Sequence, residues 1–304
     1  MTRRGFLIVG GDSVIGMALA QTLVTRGHRV VSTTRRIGTT SAARIFLDLS
    51  ASHRLDVPRG VDHAYLLAAA TSFGLCETDP EAHRINLVAV PKLAAHLLEQ
   101  GVAITFLSSS AVFGGDRPWP GEHDLHCATN AYARHKLDGE TMIRAHAAEI
   151  GALDRVSIVR ITKVLTAATP PLVDWFEAWR GDRIVTPFSD LLIAPVSLPY
   201  VCTALAKIAE PHLAGTFHLS GATEVDYATL ASALADAIGI GTADCRIVPV
   251  TSQSKGVSLH FKPRYPGLGM FRTSALTGIS PQPLEALVGD LLADRLAGAT
   301  TSHG

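Results

Sequence analysis

Tyr132 and Lys136 stand four residues apart in a stretch, residues 130–150, that reads as helix, so both side chains project from one face. A Lys ammonium beside a phenol favours the phenolate and lowers the Tyr pKa from its reference near ~10, which makes the pair usable for proton transfer at neutral pH. Just upstream, Ser108, Ser109 and Ser110 follow a short apolar run, residues 104–107. A hydroxyl placed there can hold a carbonyl oxygen together with the Tyr hydroxyl and stabilise the charge that develops on it. One of the three serines is expected to do this, while the others satisfy backbone groups at a strand end.

Such a set needs a scaffold that ends its strands beside a helix, and the first half of the chain supplies one. Apolar runs at residues 6–9, 30–32, 45–47, 65–67, 104–107 and 157–160 alternate with longer helical patterns, among them residues 15–26 and about 80–100. That alternation predicts an α/β fold with a doubly wound parallel sheet of the Rossmann type, whose ligands sit beyond the carboxyl ends of the strands. Between the first strand and the first helix lies a turn containing Gly10, Asp12, Ser13, Val14, Ile15 and Gly16. There a nucleotide diphosphate would meet backbone N–H groups and the positive end of a helix. Ser13 takes the place of the middle glycine of the usual three. The second strand runs into Arg35 and Arg36 with no carboxylate. Arg pairs with a ribose 2′-phosphate where an acidic residue would bind the free hydroxyl, so NADP(H) is favoured over NAD(H). Asp48 and Leu49, after the third strand, are candidates to face the adenine ring.

After residue 162 prolines break the alternation, at Pro170, Pro171, Pro187, Pro195 and Pro199. Residues 1–162 with about 196–220 are expected to form the nucleotide-binding domain, and about 163–195 with 221–304 a smaller substrate-binding domain. Residues 298–304 read as a loose tail. Across 304 residues, 27 basic side chains balance 27 acidic ones, which gives no support to a nucleic-acid or membrane-surface partner. No run approaches the ~18 apolar residues of a membrane span. Cys76, Cys127, Cys202 and Cys245 are far apart and form no metal-binding cluster, so a cytoplasmic protein with free thiols and no metal is expected.

Several segments together resemble the extended short-chain dehydrogenase/reductase superfamily, and within it the dTDP-4-dehydrorhamnose reductase-like group. They are IVGGDSVIG, LLAAATS, Asn86 within HRINLVAVPKLA, FLSSSAVFGG, TNAYARHKLDGE, IVRITKVL, the IAPVS turn, GTFHLSG and FKPRYPGL, in that order along nearly the whole chain. The resemblance implies Tyr132 as proton donor, Lys136 as the residue that binds the nicotinamide ribose and tunes the Tyr, and Ser109 as the catalytic hydroxyl, counted back from Val112-Phe113. It implies cofactor contacts along residues 10–16 and at Ala68, Ala69 and Ala70. Substrate contacts are expected at Thr71, Ser110, Phe113 and Lys262. Ser110 stands where such reductases often carry Asp, as does Gly269, and no Thr-Asp-Glu triplet of a nucleotide-sugar dehydratase is present. Three readings follow: a reductase acting on a keto group of a nucleotide-linked sugar, an epimerase that recycles its cofactor, and a non-catalytic NADP-binding regulatory subunit. A homodimer is an expectation from the family alone.

Overall fold

The computed structural model describes residues 3–51, 55–240 and 246–301. Cys245 lies outside them. The chain opens on β1 (Gly5–Val9), buried along its whole length, then α1 (Val14–Thr25), β2 (Arg29–Thr34), β3 (Arg44–Phe46) and β4 (His63–Leu66). The crossover to the next strand holds α2 (Phe73–Thr78), α3 (Pro80–Arg84), a π turn at Ile85–Ala89 and α4 (Val90–Glu99). The helix expected as one run thus carries an irregular turn just before Pro91, which lacks the N–H a regular helix would use. Then come β5 (Ala103–Ser109), α5 (Ala131–Glu149), β6 (Val156–Ile161), β7 (Val164–Leu165), α6 (Pro170–Arg180), β8 (Leu192–Ile193) and β9 (Val196–Ser197). The chain ends with α7 (Leu198–Ala209), β10 (Gly215–Leu219), β11 (Val225–Asp226), α8 (Tyr227–Ala237), α9 (Phe271–Thr277) and α10 (Leu284–Thr301).

Seven strands form one sheet in the order β10-β6-β5-β4-β1-β2-β3, and every pairing in it is parallel. This is a Rossmann-type sheet. The order reverses between β1 and β4, and that reversal opens a crevice at the carboxyl ends of the two strands. Alternate residues of each strand serve opposite faces. Phe6, Ile8, Tyr65, Val159 and Phe217 pack under α1 and α7, whereas Leu7, Val9, Leu66, Ile104 and Ile158 pack under α4 and α5. Both faces are apolar, which is why these strands appear in the sequence as unbroken apolar runs.

A third apolar cluster joins α6, α8 and α10 through Trp175, Phe176, Trp179, Leu230, Leu234, Leu287 and Leu291. The prolines read as breaks do not exclude a helix here: Pro170 and Pro171 occupy the first positions of α6, where a missing N–H costs nothing. Met270 and Ile279, from the late part of the chain, pack with the sheet beside α7. Helix α10 runs on to Thr301, so residues 298–301 of the expected loose tail are helical, and 302–304 lie outside the described residues.

Candidate active site

At the end of β1 the backbone turns sharply. Gly10 has φ of 95°, and a Cβ there would sit 2.7 Å from the Ala68 nitrogen, while one on Gly16 would lie 2.3 Å from the Gly10 carbonyl oxygen. Only glycine fits either position. Ser13 succeeds without being glycine because it caps α1: its Oγ accepts from Gly16 N at 3.0 Å and donates to Gly10 O at 2.8 Å. The first turn of α1 therefore presents N–H groups to a cleft of about 530 Å³ lined by Gly10, Asp12, Ser13, Arg35, Asp48, Leu49 and the segment Ala68, Ala69, Ala70 and Thr71. That segment is pinned from the π turn, where the buried Asn86 accepts from Ala70 N and donates to Ala70 O, each at 2.9 Å. Val14 is exposed and Ile15 packs on the core, so their side chains lie off the cleft wall. Arg36 is exposed and also off the wall.

Asp12 is more than a turn residue. It accepts from Thr34 Oγ1 at 2.9 Å and from the Arg35 backbone N–H at 3.4 Å, and it pairs with the Arg44 guanidinium. Burial works against ionisation, but the hydrogen bonds from Thr34 and Arg44 prevail and hold the carboxyl below its ordinary value. Ser50 donates twice to Asp48, from N at 2.9 Å and from Oγ at 2.8 Å.

Next to the cleft, and sharing Thr71 with it, lies a cavity of about 330 Å³. Ser109 and Tyr132 both line it, with the Ser109 hydroxyl close enough to act on the phenol. Ser109 ends β5 and caps the short turn that follows, accepting from Ala111 N at 3.2 Å. Its own proton is left for the phenol or a ligand. Asn130 starts α5 by accepting from Ala133 N, which brings Tyr132 into the first turn and Lys136 one turn deeper. The three serines divide differently from the expectation that two of them satisfy backbone groups: Ser108 donates to the buried Glu140 at 2.5 Å, Ser109 and Ser110 both line the cavity, and of the three it is Ser109 that accepts from a backbone N–H.

The electrostatics differ from the expectation. Burial pushes the Tyr132 hydroxyl up to about 12, and the Ser109 hydrogen bond, which favours the phenolate, only partly offsets it. Lys136 is buried, donates to the Leu107 carbonyl at 2.8 Å and lies 4.9 Å above the Phe106 ring. Burial draws it down to about 8 against the opposing charge of Glu140. Burial thus outweighs any lowering of the phenol's pKa by the ammonium, and desolvation governs both groups. Behind it, Glu140 takes Arg160 Nε at 3.0 Å and Nη2 at 2.6 Å, a two-pronged buried ion pair that fixes α5 against β6.

Of the expected substrate contacts, Thr71 and Ser110 line the cavity and two residues do not. Phe113 is turned into a small cluster with Val112 and Leu268, edge-on to His218. Lys262 donates to Asp190 at 2.7 Å and so ties the 260s segment to the loop before β8. An Asp at position 269 would not fit: a Cβ there meets the Phe271 ring at 2.7 Å. The sequence reading missed Phe73 and Phe261, stacked 5.7 Å apart on the cavity wall with Phe73 edge-on to Tyr132 at 5.0 Å. It also missed Lys163 and Tyr227. Phe261 lay inside the FKPRYPGL segment and Lys163 inside IVRITKVL, so both could have been singled out; nothing local marked Phe73.

A dinucleotide fits this arrangement on the structure's own terms. The turn is cleared of every Cβ that would fill it, a helix N-terminus faces the cleft, and the cleft runs to the hydroxyl pair. Among the described residues no group of three or more His, Cys, Asp or Glu is placed to hold a metal ion, and no helix is long and apolar enough to cross a membrane.

Known proteins share this fold. The chain is 26% identical over 258 residues to methionine adenosyltransferase 2 subunit beta of Pongo abelii, covering 82% of this chain and 75% of that one. It is 31% identical over 176 residues to dTDP-4-dehydrorhamnose reductase of Sinorhizobium fredii, covering 54% of this chain and 57% of the other. Among solved structures, dTDP-4-dehydrorhamnose reductase of Bacillus anthracis in complex with NADP has a TM-score of 0.78 at 17% identity, over 96% of this chain and all 100% of that chain. MoeE5 in complex with UDP-glucuronic acid and NAD has a TM-score of 0.77 at 19% identity, over 97% of this chain and 99% of that one. The family described as RmlD substrate binding domain matches residues 4–296, and the chain belongs to it.

Proposed function

We propose that this chain is an NADP(H)-dependent reductase acting on a keto group of a nucleotide-linked sugar. The observation that carries this reading is that Ser109 and Tyr132 line one cavity, which joins a dinucleotide-shaped cleft through Thr71. A bound dihydronicotinamide would supply the hydride for the carbonyl carbon. Ser109 and Tyr132 would donate to the carbonyl oxygen, and the Tyr132 hydroxyl would give up its proton as that oxygen gains charge. A phenol pushed up to about 12 is protonated at neutral pH, which suits a proton donor. Lys136, held by the Leu107 carbonyl, would bind the ribose next to the reacting ring and connect the proton path. The NADP(H) preference is supported by Arg35 on the cleft wall and by Arg44, which offsets the charge of Asp12.

The test is NADPH oxidation with dTDP-4-dehydrorhamnose as substrate. Tyr132→Phe should lower kcat by about 10³-fold while the NADPH affinity changes less than twofold. Substrate conversion with no loss of NADPH favours the epimerase. An unchanged phenotype in Tyr132→Phe favours the regulatory subunit, a role whose support is the likeness to methionine adenosyltransferase 2 subunit beta.

A further inference from the structure

We propose that Lys163 is the specificity-determining anchor for the phosphate that the substrate carries on the same sugar ring as its keto group. This rests on the reductase reading for the identity of the keto compound, though not for the anion site itself. Lys163 lines the same cavity as Ser109 and Tyr132, and it is the one charged side chain among the lining residues; no carboxylate is among them. Three other cations of this end of the molecule are engaged. Lys262 is held by Asp190 at 2.7 Å, Arg160 by Glu140, and Lys136 by the Leu107 carbonyl. Lys163 forms no ion pair among the described residues. Lys163 is exposed as a residue while the surroundings of its ammonium lower its pKa with no carboxylate acting against them, and an incoming anion would supply a counter-charge.

The backbone beneath it is fixed. Lys163 sits between β6 and β7, its carbonyl accepts from Val196 N at 2.9 Å, and the preceding Thr162 Oγ1 donates to the Ala194 carbonyl. The backbone that carries the side chain is therefore anchored while the ammonium is free to meet a ligand. Around it the wall is apolar and aromatic, with Phe73, Phe261, Tyr132 and Tyr227, and offers sugar and base faces rather than further charge. A keto sugar joined to a nucleoside diphosphate carries its carbonyl and its first phosphate on one ring. That spacing suits a cavity holding both the hydroxyl pair and a single ammonium.

The test is calorimetric titration of the full chain with UDP-glucose and with methyl α-D-glucoside, in parallel with NADPH. Wild type should bind UDP-glucose in preference to the uncharged glucoside, and more weakly as salt is added. Lys163→Met should weaken UDP-glucose about tenfold and flatten the salt dependence, and Lys163→Arg should restore both. NADPH affinity should stay within twofold in all three proteins, which also shows that they are folded. The proposal is overturned if Lys163→Met binds UDP-glucose as wild type does, or if wild type shows no preference for UDP-glucose over the glucoside. Failure of every protein to bind NADPH sinks the reductase reading instead; a Lys163-dependent UDP-glucose affinity in that same experiment would still uphold the anion site.

Discussion

The two ends of the same parallel sheet carry polar clusters of opposite character. At the amino end Glu210 accepts from Arg26 at 2.5 and 2.6 Å and meets His28 at 3.0 Å, while the buried His63 meets Thr105 at 2.8 Å and His212 at 3.4 Å. These groups face one another and close the cluster. At the carboxyl end Thr71, Ser110, Tyr132 and Lys163 face a cavity and Gly10 to Arg35 a cleft. Polar groups satisfied by each other hold strands and helices in place; polar groups left to a cavity await a ligand. The same strands serve both purposes because the reversal of strand order between β1 and β4 opens only the carboxyl end.

Breaking each cluster should therefore show in a different measurement. After Tyr132→Phe, the largest effect is expected from Ser109→Ala, which should lower kcat about 100-fold, or about 2.7 kcal/mol of barrier, while urea unfolding shifts by no more than the ~1 kcal/mol of a lost cap. Glu210→Gln should do the reverse. It leaves Arg26 without its ion pair and should cost about 2 kcal/mol of stability, with kcat unchanged. A loss of turnover in Glu210→Gln at full stability would erase the distinction between the two ends.

The smallest effect sharpens the amino end alone. Burial, with help from His212 and Arg4, draws His63 down to about 3, whereas the unfolded chain titrates near 6.5. Between those values the unfolded state binds the extra proton, so the contribution is fully present above 6.5 and is lost as pH falls toward 3. Urea unfolding at pH 7 and pH 5 should lose on the order of 1 kcal/mol per pH unit below 6.5 from this group. His63→Gln should shallow that slope by one proton; an unchanged slope would mean that His63 is charged in the folded protein.

The sheet was legible because β1, β4, β5 and β6 are buried on both faces and must be written in apolar residues, as at Phe6 to Val9 and Ile104 to Leu107. Tyr132 and Lys136 were legible through helical spacing, three candidate serines through strand-end position, with Ser109 picked from them by the resemblance alone, and the turn through Gly10 and Gly16. Two kinds of fact lay beyond local pattern. One is long-range pairing: Phe73 meets Phe261, and Lys262 meets Asp190, contacts that no spacing announces. The other is burial, which governs Tyr132 and Lys136 more than their mutual spacing does and turns Phe113 into the core. Helix α6 hid behind Pro170 and Pro171, residues that disfavour a helix everywhere except at its start.

The most direct measurement is a crystal structure of the complex with NADP⁺. The expected result has the diphosphate against the N–H groups of the turn at residues 10–16, the 2′-phosphate on Arg35, and the nicotinamide within one hydrogen-bonding layer of Tyr132 and Ser109. A nicotinamide bound elsewhere, or a Tyr132 hydroxyl directed away from it, would contradict the assignment of the carboxyl end as a reductase site.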